Sequence, residues 1–194
     1  MKESEIISAS MNFIAEYIKK ILENLDSTNI LNIINEIIKT KRIFLIGAGR
    51  SGLEAKAFAM RLIHLGFEAY VIGEYTAPVP MYKDLVIIIS GSGETKSVIE
   101  FIEIIKRNRP KLALITIDKD SSLGKMSDII IVVPIIIEDI DKDFREYVVP
   151  MGTLFEAITH IFLDAVVSQL KAKTKTTESE MKIRHMFSEY VGII

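Results

Sequence analysis

Apolar residues at Ile7, Met11, Ile14, Ile18, Ile21 and Leu25 recur every three or four positions, the repeat of a helix with one buried face. The spacing predicts an amphipathic helix over about 3–25. A second helix follows: Asp26, Ser27 and Thr28 offer caps, and Ile30, Ile33, Ile34, Ile37 and Ile38 form its apolar face up to about Lys41. The period then changes. Short unbroken aliphatic runs, 43-IFLI-46, 69-AYVI-72, 85-LVIII-89, 112-LALITI-117 and 129-IIIVV-133, alternate with helical stretches over about 51–65 and 95–107. Strands buried on both faces lack the alternation of half-exposed ones, and strands joined by helices run parallel. The pattern predicts an α/β fold: a flavodoxin-like, doubly wound five-stranded parallel sheet with helices on both faces.

After Pro150 a long helix is predicted over about 152–170. Its polar positions Thr153, Glu156, His160, Asp164 and Ser168 form one narrow stripe, and nearly everything else on it is apolar. Such a helix needs cover on most sides, in part from another subunit. The run 171-KAKTKTTESE-180 reads as a polar linker, with a helical tail within about 178–190. The organisation is a single domain over 1–194, with a helical pair (about 3–41) in front and the tail behind.

Composition narrows the function. The 194 residues are 49% hydrophobic and 26% charged with a formal charge of -2, which excludes a disordered chain and gives no electrostatic reason to expect nucleic acid. The chain has no Cys, so disulfides, thiolate zinc sites and cysteine nucleophiles are excluded. The start, MKESEII, is charged where a secretory signal is apolar, and the longest apolar run, 129-IIIVVPIII-137, is broken by Pro134 and well short of the roughly 18–20 residues of a membrane helix. A soluble, cytoplasmic protein with no membrane partner is the expectation.

Two glycine-rich loops carry the candidate chemistry. The first, 47-GAGRSG-52, joins a strand to a helix and matches G-x-G-x-x-G, with Glu74 placed 22 residues beyond Gly52 as a possible ribose acid. Alone it is compatible with a dinucleotide site. The second, 90-SGSGET-95, also joins a buried strand to a helix, so both loops lie at the carboxyl edge of one sheet. Ser90, Ser92 and Thr95 add three hydroxyls to the backbone N–H groups of Gly91, Gly93 and Glu94. Helix capping needs one hydroxyl; three suit a terminal phosphomonoester better than an esterified pyrophosphate. Neither loop continues into Lys-Ser or Lys-Thr, so the Walker pattern is absent.

The segments 47-GAGRSG-52, 60-MRLIHLGFEAYVIGE-74, 90-SGSGET-95, 152-GTLFE-156 and 181-MKIRH-185 together resemble the sugar-isomerase (SIS) domain family, and within it the 6-phospho-3-hexuloisomerase branch. The resemblance spans nearly the whole chain. It implies conversion of 3-hexulose 6-phosphate to fructose 6-phosphate with neither metal nor organic cofactor, in a homotetramer or homodimer, serving formaldehyde fixation through the ribulose monophosphate pathway or, in reverse, pentose phosphate supply.

Moving a carbonyl from C3 to C2 means taking a proton from C2 and returning one to C3 through an enediol, which one carboxylate can do as base and then acid. Glu156 is the candidate. Read from the residues alone, it is equally a glutamate favoured by a helix N-terminus; by resemblance it matches the family's catalytic glutamate. For a second role the resemblance favours His185, beside Arg184, ahead of His64 near the end of its helix and His160 one turn beyond Glu156. Gly49, Arg50 and Ser51 join the phosphate-binding set, with Arg50 able to neutralise phosphate or polarise the carbonyl. The chain departs from the family pattern at Val148 and Val149, and at Met186, Phe187 and Ser188. Lost polar groups there motivate an alternative, a SIS module that binds a sugar phosphate without turning it over, or an isomerase of another sugar phosphate.

Overall fold

The computed structural model describes residues 3–23, 26–135 and 146–191; Leu25, Ile136, Ile137 and the side chains of Phe187 and Ser188, all used above, lie outside the described set. The helical pair is α1 (Glu3–Leu22) and α2 (Ser27–Lys39). The Asp26 carboxylate caps α2, accepting from the N–H groups of Thr28 at 2.9 Å and Asn29 at 3.3 Å. There follow β1 (Arg42–Gly47), α3 (Gly49–Leu65), β2 (Glu68–Val71), β3 (Leu85–Ile89), α4 (Lys96–Ile105), β4 (Lys111–Thr116), a short α5 (Ser122–Met126) and β5 (Ile129–Val132). The chain ends in α6 (Thr153–Thr174) and α7 (Glu178–Val191).

All five strands are parallel, as the doubly wound class expected from the sequence requires, and the structure supplies their order, β2-β1-β3-β4-β5. Successive strand residues face opposite sides, so the unbroken aliphatic runs feed two cores. Ile43, Leu45, Ile87, Ile89 and Ile115 join the larger core with α2, α3 and α6; Phe44, Ile46, Val86, Ile88 and Leu114 join the smaller one with Val98, Ile102 and Ile105 of α4. The sheet is thereby a rigid plate with free loops at each edge.

Two elements differ from the expectation. The five-residue α5 is too short to show a helical period, and its start is fixed instead by the Ser121 hydroxyl accepting the Gly124 N–H at 3.2 Å. The polar run 171–180 is mostly helix. Its Lys and Ala residues are good helix formers, so α6 continues to Thr174. The connection is only residues 175–177, because Thr177 and Glu180 form a reciprocal capping box that starts α7: the Thr177 N–H donates to Glu180 Oε2 at 2.7 Å, and the Glu180 N–H to Thr177 Oγ1 at 3.2 Å. By length and composition α6 is apolar enough to cross a membrane. Here its apolar side, including Leu154, Ile158, Leu163, Val166, Val167 and Leu170, is buried in the larger core.

Arg42 and Asp84 tie the starts of β1 and β3 together. Asp84 accepts from Arg42 Nε at 3.0 Å and from the Met81 N–H at 2.7 Å, and its carboxylate is almost fully buried while Arg42 is a quarter exposed. Asp84→Ala leaves the guanidinium and one N–H without their acceptor. The expected loss is about 2–3 kcal/mol in urea denaturation, the low end for a broken buried pair because Arg42 keeps some water.

Candidate active site

The register of the two central strands creates the site. Gly47, the last residue of β1, is paired with Ile89, the last of β3, so the chain leaves both strands at the same level and the connections to α3 and α4 open at one edge of the sheet. Between β1 and β3 the order of connections reverses, which opens a crevice at the carboxyl edge. A cleft of about 530 Å³ lies there, lined by Ala48, Ser51, Ile89, Ser90, Gly91, Ser92, Thr95, Ile117, Asp118, Gly152, Phe155 and Glu156. That volume is within the range of about 300–1,000 Å³ usual for small-molecule sites.

Neither helix that starts at the cleft has a side-chain cap. Ala48 precedes α3 and has nothing to offer, while Thr95, at the N-cap position of α4, makes no cap hydrogen bond; its hydroxyl lies 3.3 Å from Ser90 Oγ. The first-turn N–H groups and the positive ends of two helix dipoles are thus left for an anion. Buried Ser90 and exposed Ser92 shape the loop as well as lining it: Ser90 Oγ accepts the Gly93 N–H and Ser92 Oγ accepts the Glu94 N–H, both at 3.2 Å. Gly93 has φ +65, and a Cβ there would sit 2.0 Å from Ser121 Oγ, so only glycine fits this turn. The Glu94 side chain is directed to α5, where it accepts the Ser122 N–H at 2.6 Å and the Ser122 hydroxyl at 2.8 Å.

The opposite wall is the start of α6. Gly152 precedes it in the left-handed conformation, φ 79, and a Cβ there would lie 3.0 Å from Glu156 Oε2. The carboxylate occupies the space that any other residue would fill. With its side chain only 14% exposed, Glu156 faces Arg50 Nη2 across 3.4 Å, and Arg50 is itself held by donation from Nη1 to the Met151 carbonyl at 2.9 Å. Oε2 is buried without a hydrogen-bond donor. Desolvation pushes the Glu156 carboxyl above its ordinary value of 4.5; the Arg50 charge, the helix N–H and the Ser51 hydroxyl pull the other way without overcoming it. A carboxylate raised by burial and kept accessible from a cleft is a suitable proton acceptor.

The structure brings together Arg50, Ser51, Ser90, Gly91, Ser92, Thr95 and Glu156, with Gly49 opening α3 beside them. It does not bring the histidines there within one chain. His64 lies fifteen residues beyond Gly49 on α3, about 22 Å along the axis. It is buried against α7, with Nε2 3.3 Å from His185 Nδ1, while Arg184 Nη1 donates to the His64 carbonyl at 3.0 Å and covers the C-terminus of α3. Burial, then the neighbouring His185 and Arg61, holds His64 below its ordinary value of 6.5. His160 is turned from the cleft to Glu54, 2.7 Å away. Glu74, the acid a dinucleotide ribose would need, is exposed and paired with Lys56 at 2.7 Å. Val148 and Val149 are core residues, outside the cleft.

Sequence reasoning did not single out Asp118, Ile117 or Phe155, which also line the cleft. The signal existed: a parallel sheet presents the loop after every strand at the same edge, so the residues after 112-LALITI-117 belonged on the list.

Relatives give this geometry a context. The family model of the SIS domain matches residues 36–160. The chain is 41% identical over 177 residues to the 3-hexulose-6-phosphate isomerase of Bacillus subtilis (strain 168), covering 88% of this chain and 95% of that one. It is 36% identical over 186 residues to the protein of the same name from Methanocaldococcus jannaschii, covering 95% and 96%. A crystal structure from Methanococcus jannaschii, described as inferring a 3-hexulose-6-phosphate isomerase function, superposes with a TM-score of 0.77 at 35% identity over 95% of this chain and 98% of that one. A domain match covering all five strands of the sheet, with likeness in sequence and structure over most of the chain around it, places this chain in the SIS domain family.

Proposed function

We infer that this chain interconverts 3-hexulose 6-phosphate and fructose 6-phosphate. The observation that carries the reading is Glu156: a desolvated carboxylate with a raised pKa, across one cleft from a hydroxyl-rich loop and two uncapped helix N-termini. The phosphate of the substrate is held by Ser92, Thr95 and the first-turn N–H groups of α4, with Ser51 and the start of α3 at its other side. Gly91 and Gly93 let the loop pass close, and Glu94 fixes the loop on α5. Glu156 takes the C2 proton, the electron pair becomes the C2–C3 double bond of an enediol as the C3 carbonyl becomes a hydroxyl, and the same carboxyl returns a proton to C3. Arg50 supports both stages. Once Glu156 is protonated, the guanidinium charge is released to stabilise the enediolate oxygen.

The binding-only alternative loses one of its two motives, because Val148 and Val149 fill the core and leave the cleft lining as it is. His185, exposed on α7, serves the cleft of a second subunit, moving the hydroxyl protons at O2 and O3, and buried His64 orients it across 3.3 Å. Their distance from their own cleft supports this, as do Leu53, Met60 and Ile63, exposed on α3, and Ile161, exposed on α6. The chain works as a cytoplasmic homodimer or homotetramer, without metal or organic cofactor.

Glu156→Gln should lower kcat by about 10²–10⁴-fold in a coupled fructose 6-phosphate assay. The same variant should gain stability with pH. The raised carboxyl favours folding fully below its unfolded value of 4.5, and that contribution is lost as pH rises through the higher folded value. Urea melts at about pH 4 and pH 7 should therefore show Glu156→Gln more stable relative to wild type at the higher pH. The acid limb of kcat/KM should lie above 4.5 and move further up in Arg50→Ala, which removes the main opposing charge. Mixing inactive Glu156→Gln with inactive His185→Gln subunits should restore activity, roughly a quarter of wild type for random pairing in a twofold dimer; no recovery would assign the histidines a structural role.

A further inference from the structure

The opposite edge of the sheet, where β3 and β4 begin, holds a second cleft of about 630 Å³. Its walls carry five cations against two carboxylates, a local excess of three positive charges on a chain whose formal charge is -2. The carboxylates are already engaged. Glu36 is shared by Lys39 at 2.6 Å and Lys111 at 2.7 Å, and Asp128 accepts the Leu112 N–H at 2.8 Å. The other three cations, Lys83, Lys106 and Arg109, form no ion pair among the described residues. A concave wall of one sign focuses its field on an anion.

The backbone sharpens the point. Lys83 precedes β3 with φ 74, and Arg109 precedes β4 with φ 55. Left-handed non-glycine residues each cost about 1 kcal/mol or more, and glycine would sit there without strain. At both positions the chain carries a long cation instead. Beside them the Tyr82 ring is 70% exposed, with Lys83 Nζ 5.8 Å from its centroid, and Pro110 and Met126 give the cleft an apolar side. A sugar monophosphate would neutralise only part of this charge and has no flat face for Tyr82.

We propose that this cleft binds a nucleoside di- or triphosphate, the phosphates on Lys83, Lys106 and Arg109 and the base on Tyr82. This goes beyond the isomerase reading and does not depend on it. The five residues of β3, at about 3.3 Å each, put the two clefts roughly 17 Å apart on opposite edges of the sheet.

The test is calorimetric titration of the full chain with ATP in EDTA, and with inorganic tripolyphosphate. ATP should bind and weaken steeply with salt. The triple variant Lys83→Gly, Lys106→Ala, Arg109→Gly should bind it at least about tenfold more weakly, while melting no lower than wild type because glycine relaxes both turns. Tyr82→Ala, at an exposed side chain, should weaken ATP roughly tenfold and leave tripolyphosphate unchanged. Ser92→Ala with Thr95→Val, in the other cleft, should alter neither. No ATP binding by wild type, or unchanged ATP binding by the triple variant, overturns the site. Tripolyphosphate binding as tightly as ATP, with Tyr82→Ala without effect, overturns the nucleotide.

Discussion

Gly47 and Ile89 stand opposite each other at the ends of β1 and β3, and the rest of the site depends on that pairing. A slip of one residue would bring the strands' inward side chains to the wrong core and leave α3 and α4 starting at different heights. In register, the residues that open both helices line one cleft, with no side-chain cap on either helix. The unmet N–H groups are a small loss to the free protein. An anion at the cleft would meet them, and the proposed phosphate site rests on this feature of the fold.

Glu156 makes a similar exchange. Its Oε2 is buried with no hydrogen-bond donor, its neighbour Gly152 is held left-handed to leave it space, and Arg50 balances its charge without raising its exposure. Each arrangement is unfavourable to folding taken alone. Together they raise the carboxyl above its ordinary value at the side of the cleft, the property on which the proposed proton transfer rests. The rigid double core behind the sheet absorbs these local penalties.

Much of this was legible in the chain. The aliphatic runs of β1, β3 and β4 are doubly buried as expected, whereas the edge strands β2 and β5 are only partly buried because each has a neighbour on one side alone. The hydroxyl count in 90-SGSGET-95 exceeded what capping requires. Thr95 illustrates the limit: it stands at the N-cap position of α4, yet its hydroxyl lies toward Ser90 and makes no cap bond. Glu94 is the converse, read as part of the anion site and found anchoring α5. Such choices depend on which partner lies within 3 Å, and periodicity carries no information about that. The polar run 171–180 misled for another reason, since Lys is as acceptable in an exposed helix as in a linker and only the Thr177–Glu180 box marks where one helix ends and the next begins.

Helix α3 has its glycine loop at one end and His64, clamped by Arg184 and His185, at the other. With both ends committed, its seventeen residues act as a ruler. Adding or deleting one residue would rotate His64 by about 100° around the axis, and a whole turn would shift it by about 5.4 Å. Substitutions along α3 leave the distance between its ends unchanged, but a change in its length does not, so the length of this helix is the more tightly constrained property.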